Sequence, residues 1–169
     1  MKAVRAAAWL FLALPLATTV FASVKIVDLL NTDPAFNRLV AALQKHRLIP
    51  VVNGHATVTL FAPTNNAFQK WDAEGRTVTR EMLLYHILPM TVLTDRFKDG
   101  QLLETMLVKA GYLGDHNEGQ RVAVAKHSWR PGRHSPWVIG DAELLKKDWV
   151  CDNGVVQVVD RLLVPPEDI

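Results

Sequence analysis

Two apolar segments far apart in the chain constrain its fold more than any other feature: residues 57–61, closed by Pro63 and Thr64, and residues 155–164, opened by Asp152-Asn153-Gly154. Both read as strands, because β-branched and apolar residues are bounded there by turn formers, and Asn-Gly is a strong hairpin signal. Between them the pattern is first helical. Thr64 stands at an N-cap position ahead of Ala67, Phe68 and Trp71, and Thr79 caps a helix predicted over residues 80–88, which Pro89 closes. Upstream, Asp33-Pro34 starts a helix running to about residue 46, with Phe36, Leu39, Val40 and Leu43 on one face. A shorter helix over residues 24–30 precedes it, and Asn53-Gly54 reads as a turn into the first strand. From residue 101 the period shifts toward two, giving strands at 103–108, 121–126 and 137–139. Helices followed by strands indicate an α+β domain in one copy, not a parallel βαβ sheet.

The start of the chain reads as a signal peptide over residues 1–22, leaving a domain at 23–169. Lys2 and Arg5 form the charged start, residues 6–16 the apolar stretch, and Val20-Phe21-Ala22 the small-residue exit before Ser23. An anchor is the weaker reading, since the apolar run contains Pro15 and is short for a span of about twenty residues. Removing Lys2 and Arg5 brings the 19 basic residues level with the 17 acidic ones. The pI of 8.8 therefore belongs largely to the leader and gives little support for a nucleic-acid or anionic-membrane footprint. Cys151 is the only cysteine, so no bridge can form within the chain, and it reads as a small hydrophobe before a turn rather than a reactive thiol.

Catalytic and metal signatures are missing from the sequence. The serines after the leader, Ser23, Ser128 and Ser135, lie in no G-x-S-x-G context, and the six histidines are scattered without ligand spacing. Neither a cofactor nor a metal is expected. Residues 115–118 read as a polar loop tip, and the aromatic and basic residues at 129–134 as a solvated loop within an insertion over 112–136. A hydrolase of wall polymers would need carboxylates about 5–9 Å apart. No such pair stands out, and the expectation is a protein that is not an enzyme.

Three blocks carry a resemblance: Thr59-Leu60-Phe61-Ala62-Pro63-Thr64-Asn65-Asn66-Ala67-Phe68, then Leu83-Leu84-Tyr85-His86-Ile87-Leu88-Pro89, then Asn153-Gly154-Val155-Val156-Gln157-Val158-Val159-Asp160-Arg161-Leu162-Leu163-Val164-Pro165-Pro166. In this order they resemble the signature segments of the fasciclin domain, over residues 25–166. The resemblance implies a compact β-sandwich flanked by N-terminal and central helices. It also implies a secreted or cell-surface, non-enzymatic adhesion or matrix-binding module, reached through the secretory pathway. The implied partner is a cell-surface or matrix protein or glycan, and further fasciclin domains beyond residue 169 stay open. The alternative is an extracellular carrier of an apolar small molecule or lipid.

The same resemblance singles out residues. In some relatives the tyrosine-histidine segment has been linked to integrin binding, which makes Tyr85 a candidate contact, although contact and core both stay open for it. Helical spacing puts His86 on the apolar face, where a hydrogen-bonded core role is expected. Lys147 and Asp148 stand where adhesive animal members carry a Lys-Asp-Ile-Leu-like motif, and Trp149-Val150 depart from its apolar pair. Gln157 departs from a histidine common in the last block. Thr64, His86 and Asp160 are expected to be structural: Thr64 through a hydroxyl on a helix donor, Asp160 through pairing or hydrogen bonds within an apolar run.

Overall fold

The two segments that dominate the sequence lie side by side. Strand β1 (Val58–Pro63) pairs in parallel with β7 (Gly154–Val159), Val58 opposite Gly154 and Pro63 opposite Val159. Every residue of both strands is buried. That explains their near-continuous apolar runs, because a central strand covered on both faces has no polar side to show.

Helices cover one face. In the computed structural model, which describes residues 23–108, 119–127 and 135–166, these are α1 (Ile26–Asn31), α2 (Asn37–Lys45), α3 (Ile49–Gly54), α4 (Asn65–Ala73) and α5 (Arg80–Tyr85). The leader expected over residues 1–22 lies outside the described residues. Ile26, Leu30, Phe36, Leu39, Leu43 and Phe68 pack against Val58, Leu60, Ala62, Val156 and Val158, the residues of β1 and β7 that share one face. Each large side chain buried here contributes about 1.5–3 kcal/mol of transfer free energy. Asp33 caps the turn before α2 by accepting the Ala35 N–H at 2.9 Å.

The other face of β1 and β7 is closed by the sheet itself. Strands β2 (Ile87–Leu88), β3 (Gln101–Val108), β4 (Gly119–Lys126), β5 (Trp137–Ile139) and β6 (Ala142–Cys151) complete a seven-stranded sheet among the described residues, in the order β2-β1-β7-β6-β5-β4-β3. Its ends, β2 and β3, lie against each other, so the sheet curls nearly into a barrel around Phe61, Phe97, Leu103, Val122, Ile139 and Leu163. The α+β class stands, but one curled sheet takes the place of the two stacked sheets of a sandwich. The register of β6 on β7 shifts twice, between Leu144 and Lys146 and between Lys146 and Trp149. Such bulges bend and twist a strand, which lets β6 carry the sheet around the second core.

The structure corrects three local expectations and adds one strand. Asn53-Gly54 ends α3 instead of turning into a strand; Pro50 in the first turn of that helix is the start signal. The helix predicted to residue 88 stops at Tyr85, because Leu88 precedes Pro89 and is driven into extended backbone, where Ile87 and Leu88 pair with Leu60 and Thr59. The strand predicted to residue 164 ends at Val159. Beyond it, Leu162 and Leu163 are buried without strand pairing. Finally, β6 begins at Ala142, and its bulges hide the period of two from a reading of the sequence.

Candidate functional site

The Tyr85-His86 segment is interior. Tyr85 is only 5% exposed, and its hydroxyl donates to the Arg121 carbonyl oxygen at 2.9 Å. Burial pushes its phenol above the usual range, with the Asp141 charge adding to the effect. The ring packs in the second core with its hydroxyl engaged, and its remaining exposed edge lines a cleft beside α4. His86 is fully buried. Its Nδ1–H donates to the Met82 carbonyl at 2.6 Å and its Nε2 accepts the Leu163 N–H at 2.9 Å, an arrangement that defines the tautomer. Burial lowers its pKa to about 4, against a smaller opposing effect of the Met82 hydrogen bond, so the ring is neutral. The imidazole thereby ties the end of α5 to the segment after β7.

Lys147 and Asp148 separate in space. Lys147 is exposed, while Asp148 turns inward at a bulge with a left-handed φ of +57°, a conformation Asp tolerates better than most residues. Its carboxylate accepts the Thr94 N–H at 2.9 Å, the Thr94 hydroxyl and the Gln157 amide at 2.8 Å. Gln157 is fully buried; it also accepts the Asp148 N–H at 2.9 Å and donates to the Val92 carbonyl at 3.3 Å. Burial alone would raise the Asp148 pKa, but the hydrogen bonds from Thr94 and Gln157 outweigh it and hold the carboxylate below its ordinary range. Asp148→Ala is expected to cost about 2–4 kcal/mol in urea unfolding, because it strips a charged acceptor from three donors.

Of the residues expected to be structural, Thr64 occupies the N-cap of α4 with extended backbone, but its side chain makes no cap hydrogen bond. The cap works through the main chain: the Thr64 carbonyl accepts the Ala67 and Phe68 N–H groups at 2.9 and 3.3 Å. Asp160 accepts the Glu143 N–H at 2.7 Å and pairs with Arg161 at 3.4 Å. Asp160 therefore has both a backbone donor and a counter-charge.

The sequence reading missed a second polar node. Buried Asn153 donates to the Val52 carbonyl at 2.8 Å and accepts the Ile26 N–H at 2.9 Å, supplying an acceptor to a first-turn donor of α1. Asp152 N–H donates to the Val24 carbonyl at 3.0 Å, and the Asp152 carboxylate accepts the Val24 N–H. The hairpin turn thus holds the N-terminal helix. Thr59 is a comparable strut, donating to the Met90 carbonyl at 2.7 Å and accepting the Val92 N–H at 2.8 Å. A polar residue inside an apolar strand was the available signal, since it must find a partner once buried. Cys151 is half-buried, and burial raises its thiol pKa despite hydrogen bonds to Asn153 and Gly154. Cys151→Ser is expected to leave a folded monomer with an unchanged melting temperature, checked by scanning calorimetry and non-reducing gels.

With these side chains engaged inside, the candidate binding surface is a cleft of about 410 Å³ between α4, the β5–β6 turn and residues 161–164. Lys70, Trp71, Glu74, Arg76, Asp141 and Arg161 form its sides over Leu162 and Leu163. The Arg76 guanidinium lies 4.8 Å from the Trp71 ring centre and its Nε 3.5 Å from Glu74. Among the described residues no cluster of three or more His, Cys, Asp or Glu could hold a metal ion, and no helix is long and apolar enough to cross a membrane. The loops at 115–118 and 129–134 lie outside the described residues.

These features define an α+β domain in which a few buried polar side chains tie helices to one curled sheet around apolar cores. The chain belongs to the fasciclin domain family, whose model matches residues 34–165. Protein sll1483 of Synechocystis sp. is 25% identical over 156 residues, covering 83% of this chain and 73% of that protein. Human periostin is 27% identical over 147 residues, covering 83% of this chain but only 16% of periostin. Rabbit transforming growth factor-beta-induced protein ig-h3 is 26% identical over 149 residues, 83% of this chain and 19% of that protein. Among solved structures, the FAS1 domain pair of the insect cell adhesion molecule fasciclin I aligns with a TM-score of 0.56 at 16% identity, over 79% of this chain and 46% of that one. At that identity the likeness establishes the fold alone.

Proposed function

We propose that this chain is an exported, non-enzymatic binding domain that attaches to a cell-surface or matrix partner, protein or glycan. The observation that carries the reading is the use of the polar signature residues. Tyr85, His86, Asp148, Gln157 and Asp160 all engage other groups of the fold, which suits a rigid scaffold presenting its exterior. Membership of the fasciclin domain family supports it. The carrier alternative calls for an enclosed apolar pocket; the cleft beside α4 is open and rimmed by charges, which favours surface attachment.

Secretion from a eukaryotic or bacterial host followed by N-terminal sequencing is expected to return Ser23 as the first residue. Mature protein, immobilised and exposed to cell-surface and matrix extracts, should then bind saturably. Lys147→Ala should keep the wild-type melting temperature and reports whether that exposed cation belongs to the contact face. Absence of saturable binding by folded protein would overturn the reading.

A further inference from the structure

We infer that the cleft beside α4 is a binding site for an uncharged glycan, with Trp71 as its platform. The inference rests on the glycan arm of the proposed attachment function and assigns it a place and a chemistry.

The cleft falls within the size range of small-ligand sites, roughly 300–1,000 Å³. Its shape follows from α4. Ala67, Lys70, Trp71 and Glu74 fall at the i, i+3, i+4 and i+7 spacing of one helix face, and small Ala67 leaves a hollow beside the larger Trp71. Opposite, the turn at Gly140-Asp141 and Arg161 form the second side, with apolar Leu162 and Leu163 between.

Charge selects the ligand class. Lys70, Arg76 and Arg161 face the cleft together with Glu74 and Asp141; Glu74 lies 3.5 Å from Arg76, and Asp160 pairs with Arg161 from just outside. Neither sign dominates. A polyanion would meet two carboxylates and a polycation three bases, whereas a sugar with vicinal hydroxyls can donate to the acids and accept from the bases at once. Trp71 adds the apolar surface such a ring needs. Its face is now occupied by the exposed Arg76 guanidinium at 4.8 Å, a weak surface contact that a sugar's C–H face can displace. Its indole Nε1–H is buried with no acceptor, an uncommon condition for a buried donor.

The test uses mature protein with three soluble probes, cellotetraose, mannotetraose and a heparin tetrasaccharide, followed by calorimetry and tryptophan fluorescence in 50 mM and 500 mM NaCl. At least one of the two neutral probes is expected to bind with little salt dependence. Trp71→Phe, which keeps a smaller ring, should weaken it about tenfold in protein that still unfolds cooperatively, and Glu74→Gln and Asp141→Asn should do the same at unchanged melting temperature. Heparin binding alone, or neutral binding indifferent to all three substitutions, would overturn the assignment, as would failure of both neutral probes. Attachment of the three variants to matrix extract is measured in parallel. If wild type and variants attach equally while neutral probes fail, the glycan site is wrong and the attachment function stands; if wild type attaches to nothing, the broader reading has failed.

Discussion

Gly154→Ala is expected to destabilise the domain by about 3–5 kcal/mol. Gly154 begins β7 with φ at +151°, backbone that L side chains rarely adopt, and a Cβ there would stand 1.8 Å from the Val58 carbonyl oxygen. The contact is with main chain, which no rotamer can relieve. It sits where β1 and β7 start their parallel pairing and where Cys151 faces Gly154 across the hairpin, so relief would have to open one ladder or the other. Urea unfolding should show a lower midpoint at an unchanged slope. Gly75→Ala provides the comparison: its φ is +71°, but nothing lies within 4 Å, and only the backbone strain of about 1 kcal/mol should appear. Equal losses at the two positions would refute the steric argument.

The second large effect is in pH. His86 has a folded pKa of about 4 against an ordinary 6.5, because burial disfavours its charged form. Between those values the unfolded chain binds a proton that the folded one refuses, so stability is complete above pH 6.5 and declines as the pH falls toward 4. At 1.36 kcal/mol per unit, the loss over that window is about 3 kcal/mol. Asp148, whose pKa is lowered, adds a further loss at more acidic pH. His86→Gln keeps a donor for Met82 and an acceptor for Leu163 without a titrating ring. It should be less stable than wild type at pH 7 by about 1–2 kcal/mol, yet flatter between pH 6.5 and 4.5. A variant whose acid sensitivity matched wild type would assign the titration to another group.

How much of this was legible beforehand depended on the range of the interaction. The caps at Asp33 and Thr79, the β6–β7 hairpin at Asp152-Asn153 and the strand over residues 137–139 follow from the chemistry of a few adjacent residues, and the structure places them as read. Thr64 shows the limit of that approach: the position is a cap, but its own carbonyl, not its hydroxyl, does the capping. For the candidate contact residues the surroundings depend on tertiary neighbours. Spacing along one helix left Tyr85 free to face either way, and only the arrival of Arg121 from β4 turned it inward. Asp148 looked like one end of an exposed Lys-Asp pair, until the bulge in β6 aimed its carboxylate at Thr94 and Gln157.

By itself the sequence determined the family, the α+β class, the caps at Asp33 and Thr79 and the two central strands, because apolar period and cap chemistry act over a few residues. The tertiary structure alone decided that the strands close into one curled sheet, that Asn153 holds α1, and that Trp71 and Asp141 share a cleft. Those outcomes turn on main-chain pairing and polar contacts between residues far apart in the chain, 127 positions from Ile26 to Asn153 and 128 from Val24 to Asp152. Nothing local to either partner encodes such a contact, since a buried amide requires an acceptor but does not specify which distant residue provides it.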